Sequence, residues 1–236
     1  MSPALQGPPP GSPGALDRVS GRFELIWNEM RVGIYRLLLP EIADPLAYLE
    51  QRMAGQEEGS AGLPYWTRLW PAVMVMAQFA LRLTKGRQPL LELAAGLGLP
   101  GLVAASGGRQ VVLTDSDPDA LEFARATVEK NDLARRVEVK SMDWDDPPAG
   151  LGAFSTILGA EMLYQPTLFP GLVELLAGLL AQGGTAFFSH EARPFAVGFF
   201  DLAGARFSVR RTTSRIGKGE DATTVYLYAL TAREAA

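Results

Sequence analysis
The segment Glu92-Leu-Ala-Ala-Gly-Leu-Gly-Leu-Pro-Gly101 constrains the fold more than any other part of the chain. It sets a G-x-G-x-x-G spacing between an apolar run that reads as a strand, 89–95, and one that reads as a helix, 99–106. Gly96 and Gly98 allow a tight turn and let a ligand approach the backbone closely. The helix that follows turns a positive dipole end and unpaired N–H groups toward the turn. Asp115 closes the next expected strand, 19 residues after Gly96, where a carboxylate can hold both hydroxyls of a ribose. These features point to a nucleoside-containing cofactor. The alternative is a plain strand–helix turn with a capping acid.

The flanking periodicity extends this unit into a fold. Strands are expected at 110–114, 137–142, 154–160 and 185–190, alternating with helices at 118–131, 168–181 and 195–202. Two further strands, 206–212 and 223–230, have no helix between them. Alternation of strands and helices implies a mostly parallel sheet covered on both faces. The last two strands imply an antiparallel hairpin edge. The expected fold is therefore α/β, a Rossmann-like three-layer sandwich on a seven-stranded sheet, with an N-terminal arm. Residues 89–236 form its core and 21–88 the arm or lid: a hairpin over 22–40 broken at 28–31, a short helix at 44–53 with Asp44 as N-cap, a polar loop at 54–62, and an apolar helix from Pro71. Residues 1–20, rich in Pro, Gly and Ser, read as a flexible tail.

Composition removes several chemistries. With no cysteine and one histidine among 236 residues, disulfides, thiol nucleophiles, Fe–S clusters and multi-histidine metal sites are excluded, and no metal is expected. There is no G-x-S-x-G nucleophile elbow and no phosphate loop. A net charge of −4 argues against strong nonspecific nucleic-acid binding. The longest apolar run, 168–181, carries Glu174 and is too short to span a membrane. The start of the chain has neither the basic nor the apolar region of a secretory signal. A cytoplasmic location is compatible with all of this; nothing indicates an oligomeric state.

Glu92 narrows the cofactor. A carboxylate at that place repels a pyrophosphate, which argues against a dinucleotide, and it suits a ligand with an ammonium. Asp143 and Trp144 follow the third core strand, where the acid can accept from an adenine amino group and the indole can cover the ring; otherwise they form a surface turn. Glu161 and Tyr164 follow the fourth, at the strand ends where open α/β sheets bind ligands. They can hold an amine beside the cofactor, or serve as a helix cap and a core tyrosine. His190 reads as a hydrogen-bonded sheet-end residue rather than a base. Arg206, Arg210, Arg211, Arg215 and Lys218 form a basic cluster that reads as a solvated edge, or as a contact for an acidic protein or RNA.

Six motifs, PYWTRLWPA, LELAAGLGLPGLVAA, VVLTDSDPDAL, SMDWDDP, GAEMLY and SHEARP, together resemble the seven-β-strand S-adenosylmethionine-dependent methyltransferases over about 63–230. Within them the chain is most similar to the protein-lysine methyltransferase branch, family 16. The resemblance implies S-adenosylmethionine as cofactor. It implies that Glu92, Ala94, Gly96 and Gly98 line the methionine and ribose part, that Asp115 with Ser116 holds the ribose, and that Asp143 and Trp144 hold the adenine. Trp66 and Trp70 would pack over the cofactor, with Ala160 beside it, and Glu161 and Tyr164 would be catalytic. Ala94 replaces a usual glycine, Leu97 a small or polar residue, and Glu161 an aspartate. The implied activity is methyl transfer to a protein lysine; a small-molecule amine is the alternative acceptor. An NAD-dependent oxidoreductase and a non-catalytic binding module are the alternatives outside this activity.

Overall fold
The structure is a computed structural model that describes residues 13–54, 64–86, 88–219 and 222–233. The first twelve residues of the expected tail and most of the expected 54–62 loop lie outside them.

The main sheet has seven strands in the order β5-β4-β3-β6-β7-β9-β8. Its parallel part comprises β3 (Leu90–Leu93), β4 (Val111–Asp115), β5 (Val137–Ser141), β6 (Phe154–Ala160) and β7 (Leu180–Glu191). β8 (Phe207–Ile216) and β9 (Thr223–Ala232) pair antiparallel and join the sheet through β7. β3 and β6 are near-continuous apolar runs because both faces are covered. On one face lie α3 (Pro71–Ala80), α4 (Leu99–Ser106) and α5 (Pro118–Lys130), which bury Met76, Leu102 and Val128 against Leu90, Val111 and Leu158. On the other lie α6 (Phe169–Leu179) and α7 (Val197–Ala203), with Leu172, Phe199 and Phe200 against Leu91, Ile157 and Phe188. Strand order reverses between β3 and β6, and ligands of open α/β sheets bind at the strand ends beside such a switch point. The basic residues of β8 lie on the sheet edge, where Arg210, Arg211 and Arg215 are exposed and oppose edge-to-edge pairing.

The N-terminal part differs from expectation in three respects. The expected tail to residue 20 is helical from α1 (Ala15–Arg22): Glu129 accepts the N–H groups of Ala15 and Leu16, both at 2.9 Å, and Ala15 and Val19 are buried. This tertiary contact supplies the partners that the amino end of a short helix lacks. The hairpin of β1 (Leu25–Val32) and β2 (Tyr35–Ile42) turns at Gly33, φ +59°, and not at 28–31. The turn follows the positive-φ glycine, not local polarity. Finally, α3, counted with the arm, is a layer of the sandwich: it buries Ala72, Met76, Ala77 and Ala80, and Ser189 of β7 donates to the Ala72 carbonyl at 2.9 Å. What remains outside the sandwich is α1, the hairpin and α2 (Pro45–Ala54), joined to it through Phe23, Tyr48, Leu97 and Phe123. Among the described residues no helix is long and apolar enough to cross a membrane.

Candidate active site
A cavity of about 330 Å³ opens at the carboxyl ends of β3, β4 and β6, within the size range of small-molecule sites. The structure brings Trp66, Trp70, Glu92, Ala94, Gly96, Gly98, Asp115, Ser116, Asp143, Trp144, Ala160, Glu161 and Tyr164 to its wall.

Its floor is the turn between β3 and α4. Gly96 and Gly98 take φ +53° and +72°, the left-handed region glycine enters at no steric cost. A Cβ at Gly96 would come within 3.1 Å of the Trp66 Cβ, and one at Gly98 within 2.5 Å of Leu113. Ala94, in place of the expected glycine, holds φ +46° and carries the strain of a side chain in that region. Glu92 is 2% exposed and accepts the Gly101 N–H at 2.7 Å. Burial, with a smaller contribution from the Asp115 charge, pushes its carboxyl up to about 8, against the pull of that N–H. Asp115 accepts from the Gly96 N–H at 2.9 Å and from the Asp117 N–H at 3.0 Å. Burial raises its carboxyl as well, against those two N–H groups.

This floor distinguishes between nucleoside ligands. One N–H at the amino end of α4 is already taken by the buried Glu92 carboxyl, and the Asp115 carboxyl stands across the turn. A pyrophosphate would meet two acids there. An ammonium and a ribose diol would meet acceptors, so the donor set fits S-adenosylmethionine and not a dinucleotide.

The adenine end is less enclosed. Asp143 is exposed and accepts from the Asp145 N–H at 3.0 Å, a local turn, while Trp144 packs against the α6–α7 side of the core. The surface turn of the alternative reading is therefore present, on the cavity wall. Trp66 packs on Phe123 and Tyr48 at ring separations of 4.8 and 6.0 Å. Its buried Nε1 has no hydrogen-bond partner among the described residues.

The mouth is built at the end of β6. Glu161 takes φ +53°, a costly conformation for a glutamate, held by its N–H donating to the Ser189 carbonyl at 2.8 Å. Its Oε2 accepts the Glu191 N–H at 3.1 Å. Burial pushes its carboxyl above the usual range, against the Glu191 N–H and the Arg193 charge. Tyr164 is 48% exposed, and its ring lies 5.6 Å from Tyr65. Trp70, whose Nε1 donates to the Tyr65 carbonyl at 3.0 Å, completes this aromatic rim. His190 lies elsewhere: its Nδ1 is 2.6 Å from the Glu191 carbonyl, and its ring stacks with Phe200 and Tyr228, 5.5 and 5.4 Å away.

Sequence reading missed Arg52 and Tyr65. Arg52 of α2 lines the cavity and donates to Asp117 at 2.6 Å and to the Tyr48 hydroxyl at 3.2 Å. Asp117 caps α5, so this pair fastens α2 beside the Asp115 turn. No local pattern announces it. Tyr65 lies within PYWTRLWPA and was visible there.

Comparison with known proteins agrees with this geometry. The protein N-lysine methyltransferase METTL21A of Xenopus tropicalis is 32% identical over 130 residues, 53% of this chain and 60% of that protein. The histone-arginine methyltransferase METTL23 of Xenopus laevis is 30% identical over 155 residues, 62% of this chain and 64% of that protein. The chain thus spans somewhat under two thirds of these relatives. The N-methyltransferase NodS of Bradyrhizobium japonicum, solved with S-adenosyl-L-homocysteine, shares the fold with a TM-score of 0.55 at 16% identity, over 78% of this chain and 97% of that one. The sequence pattern of the lysine methyltransferase family matches residues 50–202, from α2 to α7 and across every wall of the cavity, and the chain belongs to that family.

Proposed function
We propose that the protein is an S-adenosylmethionine-dependent N-methyltransferase whose acceptor is a protein lysine side chain. The observation that carries this reading is the pairing of a two-acid floor, Glu92 and Asp115, with a third carboxylate, Glu161, at the mouth of the same cavity. Membership in the lysine methyltransferase family supports the choice of acceptor.

When bound, the cofactor supplies a methyl group already activated on a positively charged sulfur, so the protein need only position and desolvate the partners. Glu92 and Asp115 hold the ammonium and the ribose. Asp143 and Trp144 hold the base, and Trp66 and Trp70 wall the cavity from the α2–α3 connection. A lysine ordinarily keeps its proton to about pH 10.4; the amine must release it to solvent before its lone pair can form the new N–C bond, which would replace the methyl group's bond to sulfur, that bond's electron pair staying on sulfur. Glu161, aimed by its constrained backbone and by the Glu191 N–H, accepts a hydrogen bond from the amine and directs that lone pair inward. Tyr164 and Tyr65 form a slot for the aliphatic stem. The open aromatic rim suits a side chain presented by a protein surface.

The test measures cofactor affinity and transfer separately. Glu161→Gln is expected to bind S-adenosylhomocysteine as wild type does in isothermal titration, and to lose radiolabelled methyl transfer to protein lysines in cell extract. Full transfer by this variant overturns the assigned role. Binding of NADH in place of S-adenosylhomocysteine by the wild type overturns the cofactor.

A further inference from the structure
Arg193 belongs to the SHEARP motif. It follows β7, and its guanidinium lies 3.8 Å from Glu161 Oε1 and 3.5 Å from Glu191 Oε2. The same guanidinium stands over the Trp70 ring, 5.9 Å from its centroid. One cation therefore bridges two acids at the mouth of the cavity, against the aromatic rim.

A carboxylate beside an acceptor amine helps by aligning it and hinders by stabilising its protonated form. Two carboxylates without a counter-charge would hold the amine as an ammonium, which has no lone pair to give. A guanidinium between them leaves the cluster one negative charge instead of two. Its charge also attracts Oε1, the Glu161 oxygen that the Glu191 N–H does not hold. Among the described residues, the other ionisable groups on this rim are the Tyr164 phenol on the β6–α6 connection and the Tyr65 phenol beside it; the His190 ring faces Phe200 and Tyr228, and Arg68 lies over Trp70 at 4.9 Å.

We propose that Arg193 is a positioning residue for the methyl acceptor: by bridging Glu161 and Glu191 it fixes the direction of the Glu161 carboxylate and offsets one of the two acid charges, so that the amine enters uncharged. The inference rests on the methyltransferase reading, with Glu161 at the acceptor seat.

The experiment follows the Glu161 side-chain carboxyl carbon by NMR in the full chain labelled at glutamate δ-carbons. Its resonance is assigned by its loss in Glu161→Gln. Arg193→Gln removes the attractive charge, and its Glu161 titration midpoint is expected to rise by about one pH unit. Glu191→Gln removes the repulsive charge and keeps the backbone N–H, so its midpoint is expected to fall. Arg193→Lys should restore the wild-type midpoint. A midpoint unmoved in Arg193→Gln, or moving the same way in both glutamine variants, overturns the proposal. If Arg193→Gln does not fold, Arg193→Met takes its place, with the same expected rise and the same overturning result. The titration needs no methyl transfer, so failure of the functional reading is seen separately, in the Glu161→Gln assay.

Discussion

Glu92 provides a prediction whose sign follows from burial. In the folded protein its carboxyl is raised from the ordinary 4.5 to about 8, by burial first and by the Asp115 charge second. In the unfolded chain it returns to the ordinary value. Between those limits the folded state keeps a proton that the unfolded state has released. Stability from this group is therefore fully present below pH 4.5 and is lost as pH rises toward 8. At about 1.4 kcal/mol per pH unit for one proton, the full loss is a few kcal/mol, with about 5 kcal/mol as its upper end. Glu92→Gln keeps an oxygen acceptor for the Gly101 N–H and has no charge to titrate. Urea unfolding of both proteins at intervals from about pH 5 to pH 9 measures the difference. The unfolding free energy of the variant minus that of wild type should climb by a few kcal/mol with pH. Glu161, also raised by burial, tilts both proteins alike and cancels in the difference; Asp115, coupled to Glu92 by charge, is removed from it by repeating the comparison in an Asp115→Asn background. Parallel pH curves would refute the reasoning, because they would mean that Glu92 is as solvated in the folded chain as in the unfolded one.

Asp115→Ala should weaken S-adenosylhomocysteine binding at least about tenfold, some 1.4 kcal/mol, in a titration with NADH as the control; unchanged affinity contradicts the ribose assignment. Ala94→Gly should raise stability by about 0.5–1 kcal/mol, because glycine relieves the left-handed strain at φ +46°. A lower melting temperature in that variant would show that the Ala94 methyl contributes more by packing than its backbone loses in strain.

Much of the fold was legible because local spacing encodes local backbone. The apolar run after Gly98 closes as the helix Leu99–Ser106, and the run 154–160 as a fully covered strand, both at the expected bounds. The two strands without an intervening helix form the antiparallel edge. At the candidate site, the Gly96–Gly98 turn and the acid at the end of β4 were visible because backbone geometry demands those residue types at those places.

Sequence alone determined the strand–helix alternation, the glycine turn and the set of acids at strand ends, all of which follow from properties of neighbouring residues. Tertiary structure alone decided which distant groups meet. Glu129 receives the amino end of α1 from 114 positions away, Arg52 reaches Asp117 across 65, and Arg193 arrives between Glu161 and Glu191 only because β6 and β7 run side by side. An arginine pairs with any carboxylate that the topology delivers to it. The partner is therefore set by the order of strands in the sheet, and no local pattern carries that order.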